Sequence, residues 1–505
     1  MSAFLVAAVA LALFASDGGV LLWRPLWVDE VHTMLVADRA SPVDVIADLA
    51  NGADFGPPLV PLAAWALRHV VPQLTPTMLR LASLVCVLGA LLLVYSVLRK
   101  RFGVEASLAG VLAVGTQELV IAHSFEGRFY GPWLLCIAFV AWTLSAPRPR
   151  WTLAVASVLL CTVHWYGVIA LSLMLAAVVA LHWRGWRSAI MEVLPASAGF
   201  VALAACIPLS LGQRQALSVS TWVPDFTFAQ LTVLLTALWG SAVPVVGMLA
   251  FAVGAIARRA MRGHSLAEPL RSAGQQPGVV AVLSLALMPL VLAALSAAGQ
   301  PSMLGRYNIP AVLAWAPLIA LGAEAIGRWP SRLLAAWLLW LWLPGYAREA
   351  RRKRAFDVGV RQAATSYRKA TESNVPVVFM SMHTLYAVSA LHPKERSSLA
   401  FLELTDSTLF ALFGGDARFQ RLNKGVHVEM DVVRVHARRF GFPQVAKQSY
   451  LQLTPRFALV APAPDLPSGY STVEAYGRAL FPGHCVHTVA EGVTLFVRSA
   501  GTAKC

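Results

Sequence analysis

Residues 78–98 read MLRLASLVCVLGALLLVYSVL and are followed at once by Arg99-Lys100-Arg101. A helix needs about 20 apolar residues to cross a hydrocarbon core of roughly 30 Å, and this run is long enough. The basic triplet behind it is the kind of mark that the positive-inside bias leaves on cytoplasmic loops. Similar runs lie near residues 3–22, 106–123, 130–146, 151–164, 167–183, 190–210, 230–256, 278–298, 310–326 and 331–346. Residues 151–183 are too long for one span, and the interruption His164-Trp165-Tyr166-Gly167 divides them in two.

Composition agrees with this reading. The chain of 505 residues is 57% hydrophobic and 13% charged, whereas a soluble domain carries about 25% charged residues. Its net charge of +15 is gathered in short clusters between apolar runs, such as Arg184 with Arg187 and Arg258-Arg259 with Arg262. A nucleic-acid surface would need a continuous basic face with polar and aromatic residues interleaved, so that class is excluded. Residues 3–16 have the apolar core of a signal peptide but no charged n-region before it, which favours a retained first helix. Cys86, Cys136, Cys161 and Cys206 lie within apolar runs as small buried hydrophobes. Cys485 and Cys505 are in the polar C-terminal region and could pair if it is periplasmic. No CxxC or Cys/His metal spacing occurs.

With the clusters at 99–101, 148–150, 184–187, 258–262 and 328–332 on the cytoplasmic side, the runs alternate without conflict. The outer segments are then 23–77, 123–130, 164–167, 211–229 and 299–309. One conflict stays: Arg348 to Arg354 is the densest basic stretch, and an odd count of spans puts it outside. Within 23–77, Ser41 and Pro42 form an N-cap and first-turn pair. Val45, Ile46 and Leu49 follow at helical spacing, predicting a helix on the membrane surface. Beyond about residue 350, apolar runs at 375–380, 399–404, 457–461 and 493–498 alternate with helical patterns at 350–372 and 430–446. That alternation predicts a small α/β domain without a P-loop, GxGxxG or nucleophile elbow. The expected fold is an α-helical integral membrane protein of about eleven spans over residues 1–346, with a soluble, periplasmic α/β domain over 347–505.

Nearly all the distinctive polar residues fall on the outer face. Asp29-Glu30 follows the first helix and is flanked by Trp27, Val28, Val31 and Met34, where water is partly excluded. Such a carboxylate can act as a general base, although an acidic pair at a helix end is also commonplace. Ser124-Phe125-Glu126-Gly127-Arg128-Phe129-Tyr130 opens between two spans, and snorkelling alone would account for a lone charged pair there. His164-Trp165-Tyr166 and Arg306-Tyr307 complete the set. An outer-face arginine runs against the positive-inside bias, so Arg306 calls for a partner. Carboxylates and arginines on one face suit a lipid-anchored phosphate, to which guanidinium donates in bidentate fashion. A lipid or glycan transporter or flippase would also carry charges within its bundle. It would, however, place them near the midplane in broken, repeated helices, and no repeat is visible. A protein that merely displays its C-terminal domain would not need Asp29-Glu30.

The order Trp27-Val28-Asp29-Glu30, Gly56-Pro57-Pro58-Leu59, Glu126 to Tyr130, His164 to Gly167 and Arg306-Tyr307 resembles the GT-C glycosyltransferases. The likeness is to their bacterial branch of protein O-mannosyltransferase-like and lipid A aminoarabinose transferase-like enzymes, and it spans about residues 1–345. It implies an inner-membrane enzyme with a periplasmic active site, a polyprenyl-phosphate sugar as donor and a lipid, glycan or protein hydroxyl as acceptor. By this resemblance Asp29 is the catalytic base and Glu30 its partner in the acidic motif. Arg128 and Arg306, with Tyr130 and Tyr307, bind the donor phosphate. Glu126, His164, Tyr166, Pro57 and Pro58 line the pocket. No cofactor is implied, and a shared acidic site at Asp29-Glu30 is the one route to a divalent metal. The sequence departs from the family at Gly56, at Val60 and Pro61 where tyrosines are usual, at Gly127 for alanine, and at Gly131-Pro132. These departures leave sugar and acceptor open.

Overall fold

The computed structural model describes residues 18–216, 227, 276–403 and 431–498, apart from 72–73, 183–184, 301, 303, 373–374, 380–381, 392–398, 442, 455, 461–477, 479, 482–483 and 491–492. The expected span 230–256, most of 3–22 and Cys505 lie outside these residues. The chain divides into two compact units: Met1–Gly18, Gly56–Leu209 and Val223–Ala350 make the first, and Gly19–Phe55, Ser210–Trp222 and Arg351–Cys505 the second.

The first unit is helical. Among the described residues, Pro76–Leu98, Trp186–Gln215, Pro277–Ala297 and Gly305–Ile326 are long and apolar enough to cross a membrane. Val104–Gly115 and Glu118–Ser124 form a further, broken candidate, bent by 68°. The bend falls at Thr116-Gln117, where Gln117 Nε2 donates to the Ala113 carbonyl at 3.0 Å, so the run 106–123 is not one straight helix. Leu59–Val70, Tyr130–Leu144, Arg150–Val163 and Gly167–Leu181 are shorter apolar helices. Pro76–Leu98 starts where Thr75 accepts from the Met78 amide at 3.3 Å, with proline in the first turn. It packs along Tyr130–Leu144, and Val104–Gly115 packs along Trp315–Ile326. Small residues permit this approach, as they do between membrane helices generally. A Cβ on Gly131 would come within 2.4 Å of the Ser83 carbonyl oxygen, and one on Gly110 within 2.3 Å of that of Ala316. The patterns at 331–346 and 350–372 prove to be one helix, Arg328–Glu372. Pro344 removes a single donor without ending it, so Arg348 to Arg354 lie mid-helix rather than in a loop.

The second unit is built on a six-stranded sheet ordered β3-β2-β1-β4-β6-β5. Its strands are β1 Val377–Phe379, β2 Ala400–Glu403, β3 Gln444–Lys447, β4 Arg456–Val460, β5 His484–Ala490 and β6 Val493–Arg498. β1 pairs in parallel with β2 and β4, and β2 with β3, while β6 runs antiparallel to β4 and β5. Alternation divides the side chains between two cores, as the pleat requires. Phe379, Phe401 and Val460 join one cluster, and Val378, Leu402 and Leu459 join the other. The helical pattern at 430–446 stops at residue 440. Gly441 turns the chain at φ 66°, Pro443 follows, and β3 begins. The helix Pro42–Ala50 is capped by Ser41, which accepts from the Asp44 amide at 3.1 Å. Of its apolar stripe, Val45 and Leu49 are fully buried in the protein, while Ile46 is exposed together with Pro42 and Val43.

Gly110→Val tests the close approach in the first unit. The obstacle is backbone, so overpacking should cost about 1–3 kcal/mol and lower the thermal midpoint of the detergent-solubilised protein. Gly359→Ala, where a Cβ meets nothing within 4 Å, should leave that midpoint unchanged or raise it. Equal midpoints for wild type and Gly110→Val would contradict the packing.

Candidate functional site

Four of the outer motifs meet in the first unit. His164 closes the helix Arg150–Val163, and Tyr166 precedes Gly167–Leu181. That break is tight, since a Cβ on Gly167 would lie 2.0 Å from the Leu160 carbonyl oxygen. The His164 imidazole stacks on Trp133 at 3.9 Å and 13°. Phe129 stands 4.6 Å from it and Tyr307 5.6 Å. Tyr166 lies 5.0 Å from Tyr307 and donates its hydroxyl to Ser302 Oγ at 2.9 Å. The Arg128 guanidinium sits 4.9 Å from the Phe129 ring and that of Arg306 5.9 Å from the Tyr307 ring. Tyr130, almost wholly buried, touches Phe129 and His123, and His123 Nδ1 pairs with the Glu126 carboxylate at 2.8 Å. Pro57 is buried and Pro58 half-buried. Gly56 before them approaches Phe129, with its Cβ position 3.9 Å from that ring.

The electrostatics of this cluster centre on His164. Burial first, then the charges of Arg306 and Arg128, push its imidazole down to about 3. Two guanidinium groups therefore bear on one uncharged ring. The Tyr166 amide donates to Nδ1 at 3.1 Å, so the ring proton belongs on Nε2, which becomes a hydrogen-bond donor. Trp133 Nε1 and Asn308 Oδ1 are buried nearby in the chain's aromatic cluster and make no hydrogen bond among the described residues. Neither was singled out by the sequence. Trp133 is apolar filler by pattern, and only its stack on His164 gives it away.

Asp29 and Glu30 belong to the second unit. They occupy successive first-turn positions of the helix Val28–Ala37, where the macrodipole favours anions. Glu30 is fully engaged: it accepts from the Trp27 amide at 2.9 Å and from both terminal nitrogens of Arg24, at 3.0 and 3.3 Å. Arg24 and Glu30 are both buried. Asp29 is half-buried. Arg24 was the missed partner, because nothing in the sequence says that the chain turns back at Pro25. Among the described residues, no group of three or more His, Cys, Asp or Glu side chains is placed to hold a metal ion.

Apolar spans and this polar, arginine-flanked cluster at a helix break define a multi-pass membrane protein. Its fold is shared over the full chain by two solved structures of ArnT from Cupriavidus metallidurans. The structure bound to undecaprenyl phosphate has a TM-score of 0.58 and 14% identity, covering 100% of both chains. The apo structure has a TM-score of 0.61 and 13% identity, covering 100% of this chain and 99% of the other. No family model matches the chain, and no curated protein matches it in sequence. At that identity the likeness is one of fold.

An imidazole that stays neutral when folded but titrates near 6.5 when unfolded makes the unfolded chain bind the extra proton. Its contribution is complete above that value and is lost as pH falls toward about 3. The unfolding midpoint should fall between pH 7 and pH 4.5, and fall less in His164→Gln. The slope for one such group reaches about 1.4 kcal/mol per pH unit. Identical pH dependence in the two proteins would show that His164 is not held neutral.

Proposed function

We propose that this chain is a membrane glycosyltransferase of the GT-C kind. It moves a sugar from a polyprenyl-phosphate donor to an acceptor hydroxyl at the periplasmic face of the inner membrane. The observation that carries the reading is the pair of arginines, Arg128 and Arg306, acting on one buried neutral histidine in an aromatic cluster. The fold shared with an ArnT bound to undecaprenyl phosphate supports the donor class. Residues 1–346 make up the transferase domain, with about eleven spans, and 347–505 a soluble α/β domain. A disulfide at Cys485, with Cys86, Cys136, Cys161 and Cys206 free, supports an oxidising compartment for the soluble part.

The chemistry follows from the groups in hand. Asp29 takes the proton of the acceptor hydroxyl as its oxygen attacks the anomeric carbon. The bond from that carbon to the phosphate oxygen breaks, its electron pair leaves with the polyprenyl phosphate, and the configuration inverts. Arg128 and Arg306 stabilise the charge that develops on the leaving phosphate, with Tyr130 and Tyr307 beside them, so no metal or other cofactor is required. The neutral His164 Nε2–H adds a donor without adding charge. Tyr166, Glu126, Pro57 and Pro58 shape the pocket. Glu30, committed to Arg24, orients the acidic segment.

Asp29→Asn keeps the size of the side chain and removes its basicity. Transfer from a labelled polyprenyl-phosphate sugar should fall by roughly 10²–10⁴-fold, with donor binding retained; full activity would remove Asp29 as the base. Arg128→Ala and Arg306→Ala should each weaken donor binding by about tenfold or more, since a charged hydrogen bond contributes about 1.5–3 kcal/mol. Arg150→Ala, at a helix start in a basic cluster read as cytoplasmic, should not. Lipid movement across the bilayer without sugar transfer would point to a flippase instead.

A further inference from the structure

The C-terminal residues of the second unit enclose the acidic segment. Val28, Val31 and Leu35 share a buried cluster with Phe379, Leu385 and Val432, so the helix Val28–Ala37 is part of the sheet's own core. Apolar burial is non-directional and would allow that helix to slide or rotate. Directional bonds in this core come from His436 and run to the Ala53 turn and to Tyr386, while its contact with the helix is the edge-on ring contact with His32. His436 Nε2 lies 2.8 Å from the Ala53 carbonyl oxygen, and its Nδ1 lies 2.6 Å from the Tyr386 hydroxyl. A carbonyl can only accept, so Nε2 carries the proton, and Tyr386 donates to Nδ1. Burial above all, with His32 adding to it, pushes His436 down to about 3, which keeps this arrangement at neutral pH.

His32 stands one turn beyond Asp29, and its ring meets His436 edge-on at 4.8 Å and 88°, and Tyr386 at 5.6 Å and 85°. Thr33 Oγ1 lies 3.4 Å from both the Asp29 carbonyl oxygen and Asp54 Oδ2. A second tie is electrostatic: fully buried Asp48 accepts from Arg39 and from Arg439, the latter at 2.6 Å. The same stretch of C-terminal helix, 431–440, thus bonds to the Ala53-Asp54 turn and to Asp48, and packs against the helix that carries Asp29 through the His32 ring and Val432. A misplacement of about 1 Å at a reacting group can cost on the order of 10²-fold in rate.

We propose that His436 and Tyr386 are positioning residues for Asp29, and that the C-terminal unit serves to fix the register of the helix Val28–Ala37. The inference rests on the reading of Asp29 as the base. Its test uses the full chain in lipid nanodiscs and the variants His436→Ala, His436→Gln and Tyr386→Phe. Three quantities are measured: turnover with a polyprenyl-phosphate sugar, donor dissociation constant, and backbone hydrogen exchange over residues 28–37. His436→Ala should lower kcat by about tenfold or more with donor affinity unchanged, and should speed exchange in that helix. Glutamine can both donate to Ala53 and accept from Tyr386, so His436→Gln should restore most of kcat. Tyr386→Phe, which removes one hydroxyl, should produce a smaller loss of the same kind and covers the case in which His436→Ala does not fold. Adding His436→Ala to Asp29→Asn should slow the reaction no further. Unchanged exchange in His436→Ala and Tyr386→Phe would overturn the proposal whatever Asp29 does. Parallel loss of donor binding and turnover would overturn it too, by showing a general scaffold effect. Faster exchange together with a fully active Asp29→Asn would instead refute Asp29 as the base, so the two failures are distinguishable.

Discussion

An ion taken out of water must be matched at once, because the desolvation penalty remains several kcal/mol even after relaxation. That constraint organises the polar parts of this chain. Glu30 is buried and is met by a bidentate Arg24 and a helix-terminal amide. Asp48 is buried and is met by two arginines, Arg39 nearby in sequence and Arg439 far along the chain. Glu126 pairs with His123. His164 meets the constraint in the opposite way: beside two guanidinium groups and without access to bulk water, it stays uncharged. The apolar packing supplies the walls within which each of these matches is enforced.

The same constraint separates two carboxylates that the sequence cannot tell apart. Asp29 and Glu30 are neighbours of like charge, and composition gives no reason to prefer either. In the structure Glu30 reaches back to the Trp27 amide from the third helical position, as a capping glutamate does. It also cancels the charge of Arg24. Such a carboxylate is held by three donors and has little freedom to take up a proton from a substrate. Asp29 is half-buried, one position nearer the helix start.

Spans such as 78–98 could be read from length and apolarity, and so could the strand runs around Val377, Ala400, Arg456 and Val493. β1, parallel to both its neighbours, is buried throughout and reads as a continuous apolar run, whereas β6 at Val493 is antiparallel to both of its own. The Ser41-Pro42 cap was equally legible, being a local interaction. What was not legible depended on partners far along the chain. The stripe of Val45 and Leu49 fits a membrane surface or a protein core equally well until the core is known. The helix 431–440 was extended too far, because the backbone demand at Gly441 leaves only a weak signal. His436 and Tyr386 gave none at all: a lone histidine and a lone tyrosine, each some hundreds of residues from the segment they touch. Arg128, His164 and Arg306 were individually weak signals, and only their order along the chain drew them together.

Under the proposed reading, the neutrality of His164 has a kinetic consequence. A third positive charge beside Arg128 and Arg306 would attract the ground-state donor, which already carries a negative phosphate, as well as the departing one. Interactions equally strong in both states lower KM without raising kcat. A neutral N–H donor is less biased toward the ground state, and its hydrogen bond strengthens as charge accumulates on the leaving oxygen. On that reading the fixed arginines supply the affinity that holds a lipid phosphate at the site. The imidazole, prevented from protonating by burial and by those same arginines, contributes most when the bond to the sugar breaks. The two roles are linked, since the cations read here as binding the donor add to the burial that keeps the histidine uncharged.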